Sequence, residues 1–170
     1  MSWIFEVFSE KSDQARLVAI LISAVVAVMV VLLNQWFLSR RAKRELLIEK
    51  IEEIFTASNE YIASCRELLA ALNNSNSQEE YYEYPEESVN KLNDSITKIQ
   101  MICGLYFNSE SFNAEDFRIW RMPILEIAHK GKILPEGETH MAYEDSKIHI
   151  HTSREKLDDL CKSLMRRYGH

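Results

Sequence analysis

The chain has 170 residues, a formal net charge of −6, 46% hydrophobic and 27% charged residues, a balance that allows one modest soluble domain plus an anchor. From residue 45 onward, 14 Lys plus Arg face 23 Asp plus Glu, a net charge of −9 that argues against nonspecific nucleic-acid binding. The four glycines, at 104, 131, 137 and 169, cannot supply a Walker loop or a dinucleotide fingerprint. GxSxG, HExxH and CxxC are missing too, so the chain reads as a non-enzyme without a cofactor.

Residues 1–16 are net acidic, and Trp3, Ile4, Phe5, Val7 and Phe8 read as a short interfacial segment on the outer side of a bilayer. Residues 17–38, LVAILISAVVAVMVVLLNQWFL, are 22 residues without charge, proline or glycine. At 1.5 Å per residue they extend roughly 33 Å, enough to cross a hydrocarbon core of about 30 Å. A cleaved signal peptide would need a basic start and an Ala-x-Ala end, and neither is present. Arg40, Arg41, Lys43 and Arg44 follow the span directly, which marks that side as cytoplasmic. The expectation is a bacterial inner-membrane protein with its N-terminus outside and residues 39–170 in the cytoplasm. Trp36 and Phe37 suit an aromatic anchor at the inner boundary.

The predicted fold is all-α, with the transmembrane helix followed by a cytoplasmic antiparallel helical bundle. Leu47, Ile51, Ile54, Ser58, Tyr61, Cys65, Leu68 and Leu72 are spaced by threes and fours, with Ile48, Phe55, Ile62 and Leu69 widening the stripe. The polar, acidic segment 73–87 reads as a loop. A second helix is predicted from Glu86 to Phe107 on Val89, Leu92, Ile96, Ile99, Cys103 and Tyr106. A shorter one follows from Ala114 to Lys130, carrying Phe117, Trp120, Ile124 and Ile127, kinked or split at Pro123 and capped at Gly131. Residues 132–151 break the pattern, and the alternation at 147–151 reads as a short extended segment. Thr152 with Glu155 resembles a capping box opening a last helix through Leu157, Leu160, Leu164 and Tyr168, with Arg166 and Arg167 at its C-terminal end. Cys65, Cys103 and Cys161 fall on apolar stripes and read as buried thiols in a reducing compartment.

Three clusters are candidate sites. Arg16, Ala19, Ser23, Ala27, Val30 and Asn34 fall together on one face of the span, which suits homo-oligomerisation or the wall of a pore. Arg40, Arg41, Lys43 and Arg44 could hold anionic lipid headgroups. Lys147, His149, His151 and Arg154 are the preferred place for an anionic ligand, a nucleotide included; paired histidines without cysteine or a spaced acidic residue do not argue for a metal.

The run LVAILISAVVAVMVVLLNQWFL, then RRAKR, then the stripe from Leu47 to Leu72 resembles, in layout, the small membrane effectors of bacterial antiviral systems. Closest in layout are the ancillary membrane pore proteins that accompany RNA-targeting CRISPR nucleases, and the cyclic-oligoadenylate-responsive membrane proteins of other CRISPR types. The resemblance implies an oligomeric membrane effector or pore subunit whose cytoplasmic domain senses a partner or ligand. The pore proteins' Arg-x4-6-His element has no counterpart: Arg166 to His170 is too short, and Arg118 or Arg121 to His129 too long, so no site residue carries over. The alternative expectation is a membrane-tethered scaffold that docks a cytoplasmic protein, with the span as a plain anchor.

Overall fold

The computed structural model describes residues 11–75, 86–118, 121–123 and 136–169. Among them are three α-helices, α1 (Lys11–Ser75), α2 (Glu86–Tyr106) and α3 (Glu136–Tyr168), one 3-10 turn (Ala114–Phe117), and no strand. Contacts divide the chain into two units between Glu45 and Leu46, a few residues beyond the expected boundary at 38/39. The segment Trp3–Phe8, most of loop 73–87, Trp120, His129 and the stretch from Ile124 through Gly131 lie outside the described residues.

In the first unit, α1 is already helical at Lys11. Its large apolar side chains from Leu17 to Leu38 are all exposed. Among the described residues, α1 is the one helix long and apolar enough to cross a membrane. The Ser23 hydroxyl donates to the Ala19 carbonyl at 2.8 Å, so it is satisfied within its own turn. At the polar end of this stretch Trp36 meets Phe37 edge-on at 5.0 Å. Arg40 stands 5.3 Å from the Trp36 ring centre, and Arg41 pairs with Glu45 at 2.8 Å.

The second unit gathers the rest of α1, α2, the 3-10 turn and α3 around one core. Most of the predicted α1 stripe is buried: Ile51, Ile54, Ser58, Tyr61, Ile62, Cys65, Leu68 and Leu69 face inward, Leu47 and Ile48 are half-buried, and Phe55, expected to widen the stripe, is exposed instead. Helix α2 runs almost as expected, opens on Glu86 and Glu87 where acidic side chains suit the helix dipole, and buries Leu92, Ile96, Ile99 and Cys103; Val89 is half-buried, and at the far end Phe107 turns inward while Tyr106, expected on the stripe, is exposed. All three cysteines are free and buried. Arg166 and Arg167 do occupy the last turn of α3.

Two expectations about whole elements fail in this unit. The first concerns residues 147–151, which are helix: α3 begins at Glu136, so Thr152 and Glu155 sit mid-helix and form no capping box. The buried positions of α3, namely Ala142, Ser146, Ile150, Ser153, Leu157, Cys161 and Leu164, step by fours and threes, but serines occupy two of them and break the apolar count. A helix interior accepts a buried serine because its hydroxyl can donate one turn back, as Ser146 does to Ala142 O and Ser58 to Ile54 O, both at 2.7 Å.

The second is the first part of the helix expected from Ala114 to Lys130, whose part beyond Pro123 lies outside the described residues. It closes as a 3-10 turn at Phe117, and Arg118 is extended at φ −70° and ψ 146°. Asn113 caps the turn by accepting from the Glu115 N–H. Arg121 fixes its far side, donating to Glu115 O at 3.0 Å and reaching Asp116 at 3.5 Å. Phe117 then packs inward, stacked on Phe112 at 5.2 Å and edge-on to Tyr61 at 6.0 Å. A chain turned inward here gains two ring contacts that a straight helix would aim elsewhere.

Candidate functional site

On the span, Ala19, Ser23, Ala27, Val30 and Asn34 are exposed on one side of a continuous helix. Ser23 is internally satisfied, whereas the Asn34 side chain has no hydrogen-bond partner among the described residues. A carboxamide one or two turns inside an apolar stretch needs such a partner once water is removed. Arg16 is exposed at the other end of the same face. Of the basic cluster, Arg40 lies over Trp36 and Arg41 is taken up by Glu45. Lys43 and Arg44 are exposed.

The second unit holds a groove of about 610 Å³ whose walls are α1 and α3. Helix α3 contributes Tyr143, Lys147, Ile150, His151, Arg154, Glu155 and Asp158, positions about one turn apart or adjacent across the same stripe, so the helical repeat puts them on one face. Helix α1 contributes Arg66, Leu69 and Ala70. Leu69 and Ile150 belong to the core, and their outer edges give the groove an apolar floor below a rim where Arg66, Lys147, His151 and Arg154 stand with Glu155 and Asp158.

The rim is held loosely. Lys147 is anchored by Glu144 at 2.8 Å and lies 4.6 Å from the Tyr143 ring centre. That bond holds the Lys147 ammonium above its ordinary pKa and the Glu144 carboxyl below its own. His151 stands 3.6 Å from Glu155, and Arg154 only 3.9 Å from Asp158. Arg66 has no ion-pair partner among the described residues. Exposed pairs of this kind are weak, so an incoming anion displaces them at little cost.

Of the four residues expected to act together, three do: Lys147, His151 and Arg154 share the groove. His149 does not, because the strand that would have put it beside His151 is a helix, and two residues along a helix turn a side chain to the far side. His149 is half-buried there, with Nε2 3.5 Å from the hydroxyl of Ser153. Burial, followed by the charges of Arg121 and Lys156, pulls its pKa below the ordinary value. Arg66 and Tyr143 were not anticipated. Arg66 stands three residues before Leu69, at the margin of the α1 stripe, so its position was readable; its pairing with α3 was not.

A second, smaller recess of about 330 Å³ lies between the 3-10 turn and α3 and includes Glu110, Asp116, Lys156 and Asp159. Beside it the end of α3 is tied down: Arg167 donates to the Ser109 hydroxyl at 2.9 Å and forms an ion pair with Glu110 at 2.6 Å, and the Tyr168 hydroxyl meets that of Ser109 at 2.9 Å. No cluster of three or more metal-ligating side chains occurs among the described residues. Comparisons with family models, with curated proteins and with solved structures give no match to this chain.

Proposed function

We propose that the chain is a homo-oligomeric, single-pass effector of a bacterial inner membrane, whose cytoplasmic helical domain senses a ligand or partner and acts without catalysis. The observation that carries this reading is Asn34, a carboxamide without a hydrogen-bond partner among the described residues, on the face that also bears Ala19, Ser23 and Ala27. Small residues one turn apart let a second helix approach closely, and a polar side chain in lipid finds its partner across such an interface. In this reading residues 1–16 lie outside, the arginine and lysine cluster contacts lipid headgroups inside, and the bundle is antiparallel. The shared face lines the assembly and, in a pore, its wall. Antiviral defence of the CRISPR-associated kind is the setting that the layout suggests.

Crosslinking in native membranes and the mass of the detergent-solubilised particle test it. Wild type should give a defined oligomer, and Ser23→Leu with Ala27→Leu should dissociate it. Asn34→Leu should weaken association by about threefold to thirtyfold, the equivalent of one interhelical hydrogen bond in lipid. A particle that is monomeric in wild type sinks the proposal. Protease added from the periplasmic side tests the orientation: digestion of residues 46–170 would reverse it.

A second reading, a tethered scaffold, has its own observation. Met101 and Leu105 are one turn apart on α2 and 56% and 68% exposed, a surface of the kind that docks a protein. Exchange of the span for an unrelated one leaves function intact in that case and abolishes it in the first.

A further inference from the structure

The groove of the second unit has a more specific chemistry than a general sensing surface. The domain around it is acidic, with a net charge of −9 from residue 45 on, yet Arg66, Lys147, His151 and Arg154 converge on one concavity where only Glu155 and Asp158 oppose them, leaving a basic excess. Such convergence, against the sign of the surroundings, concentrates a negative ligand at that spot. Two of the four are guanidiniums, whose planar forks match phosphate oxygens in pairs. Arg66 spends no ion pair within the described residues, and Arg154 holds Asp158 only at 3.9 Å. Lys147 lies against the Tyr143 ring and pairs with Glu144, an exposed pair that an incoming phosphate displaces. The floor of Leu69 and Ile150 offers nothing to an inorganic ion, but it suits the apolar portion of an organic one. At about 610 Å³ the groove falls within the range of small-molecule sites.

We propose that this groove binds a soluble organic phosphate of nucleotide size, with its phosphates on Arg66, Arg154, His151 and Lys147 and its apolar part over Leu69. The inference gives the sensing reading its ligand class and rests on that reading only for biological purpose. Binding and oligomeric mass are therefore measured on the same particles, so that either can fail while the other stands.

The test is calorimetric titration of the full chain in phosphatidylcholine nanodiscs with three probes: ATP, adenosine and inorganic triphosphate. ATP should bind saturably, adenosine at least about tenfold more weakly for want of phosphate, and triphosphate several-fold more weakly for want of the apolar part. Arg66→Gln with Arg154→Gln should weaken ATP by about tenfold or more at unchanged helicity. His149→Gln, on the other side of α3, should leave ATP binding unaltered. Saturation that never arrives, an unaffected double variant, or an equal loss in His149→Gln overturns the proposal. A second set of discs containing phosphatidylglycerol separates the sources of phosphate: unchanged ATP affinity at matched ionic strength supports a soluble ligand. Loss of ATP binding in those discs alone would assign the groove to a lipid headgroup instead and overturn the soluble-ligand assignment.

Discussion

Tyr61 carries a phenol into the core of the second unit, where its hydroxyl donates to the Phe117 carbonyl at 2.8 Å. Burial pushes its pKa well above the ordinary value, so the group stays a donor throughout the usable pH range. Tyr61→Phe keeps the ring contacts and strands that buried carbonyl, and should cost about 1–3 kcal/mol in urea unfolding; an unchanged midpoint would refute the bond's importance. His149 is a second residue with a measurable signature. Its pKa in the folded chain lies below the ordinary value of 6.5, so the unfolded chain takes up the proton first as pH falls. The stability it permits is therefore complete above about 6.5 and declines as pH drops from there toward the lowered folded value. Denaturation midpoints at pH 7.5 and pH 5.5 should differ more in wild type than in His149→Gln, where Arg121 and Lys156 no longer face an ionisable ring.

At the scale of elements, α1 and α2 were legible because their inward positions are filled by apolar side chains at helical spacing. Helix α3 was legible only from Thr152 onward. Its first half buries Ala142, Ser146, Ile150 and Ser153, too few large apolar groups to register, while Ile148 and Ile150 flanked by histidines imitate a strand. The site inherited that error: with 147–151 as a strand His149 joins the cluster, and with it as a helix Tyr143 replaces it. Arg66 could not have been added from sequence, since it reaches the groove only through packing of α1 on α3. The 3-10 turn at Ala114–Phe117 owes its shortness to Arg121 and the inward rings, which are tertiary contacts. Helix α2 also permits a direct test. Nothing lies within 4 Å of a Cβ built on Gly104, so Gly104→Ala should stabilise the chain by about 0.5–1 kcal/mol through helix propensity. If Met101 and Leu105 dock a protein, the same substitution should weaken that docking while raising the unfolding midpoint.

At the scale of the whole molecule, the two units present different surfaces. The buried core, from Ile51 to Leu164, belongs wholly to the second unit, whereas the first exposes its apolar side chains from Leu17 to Leu38. A fragment of residues 46–170 should therefore be water-soluble, helical by circular dichroism and cooperative in urea, and aggregation of that fragment would show that its fold needs the rest. The full chain should instead require detergent. The placement of the sulfur atoms has one more consequence. Cys65, Cys103 and Cys161 are the only three thiols in the sequence, and burial raises the first to about 12 and the second to about 11. A maleimide has no thiolate to attack while the core is closed. Alkylation counted by mass therefore reports how many molecules have opened, in a membrane or a lysate, without any engineered label.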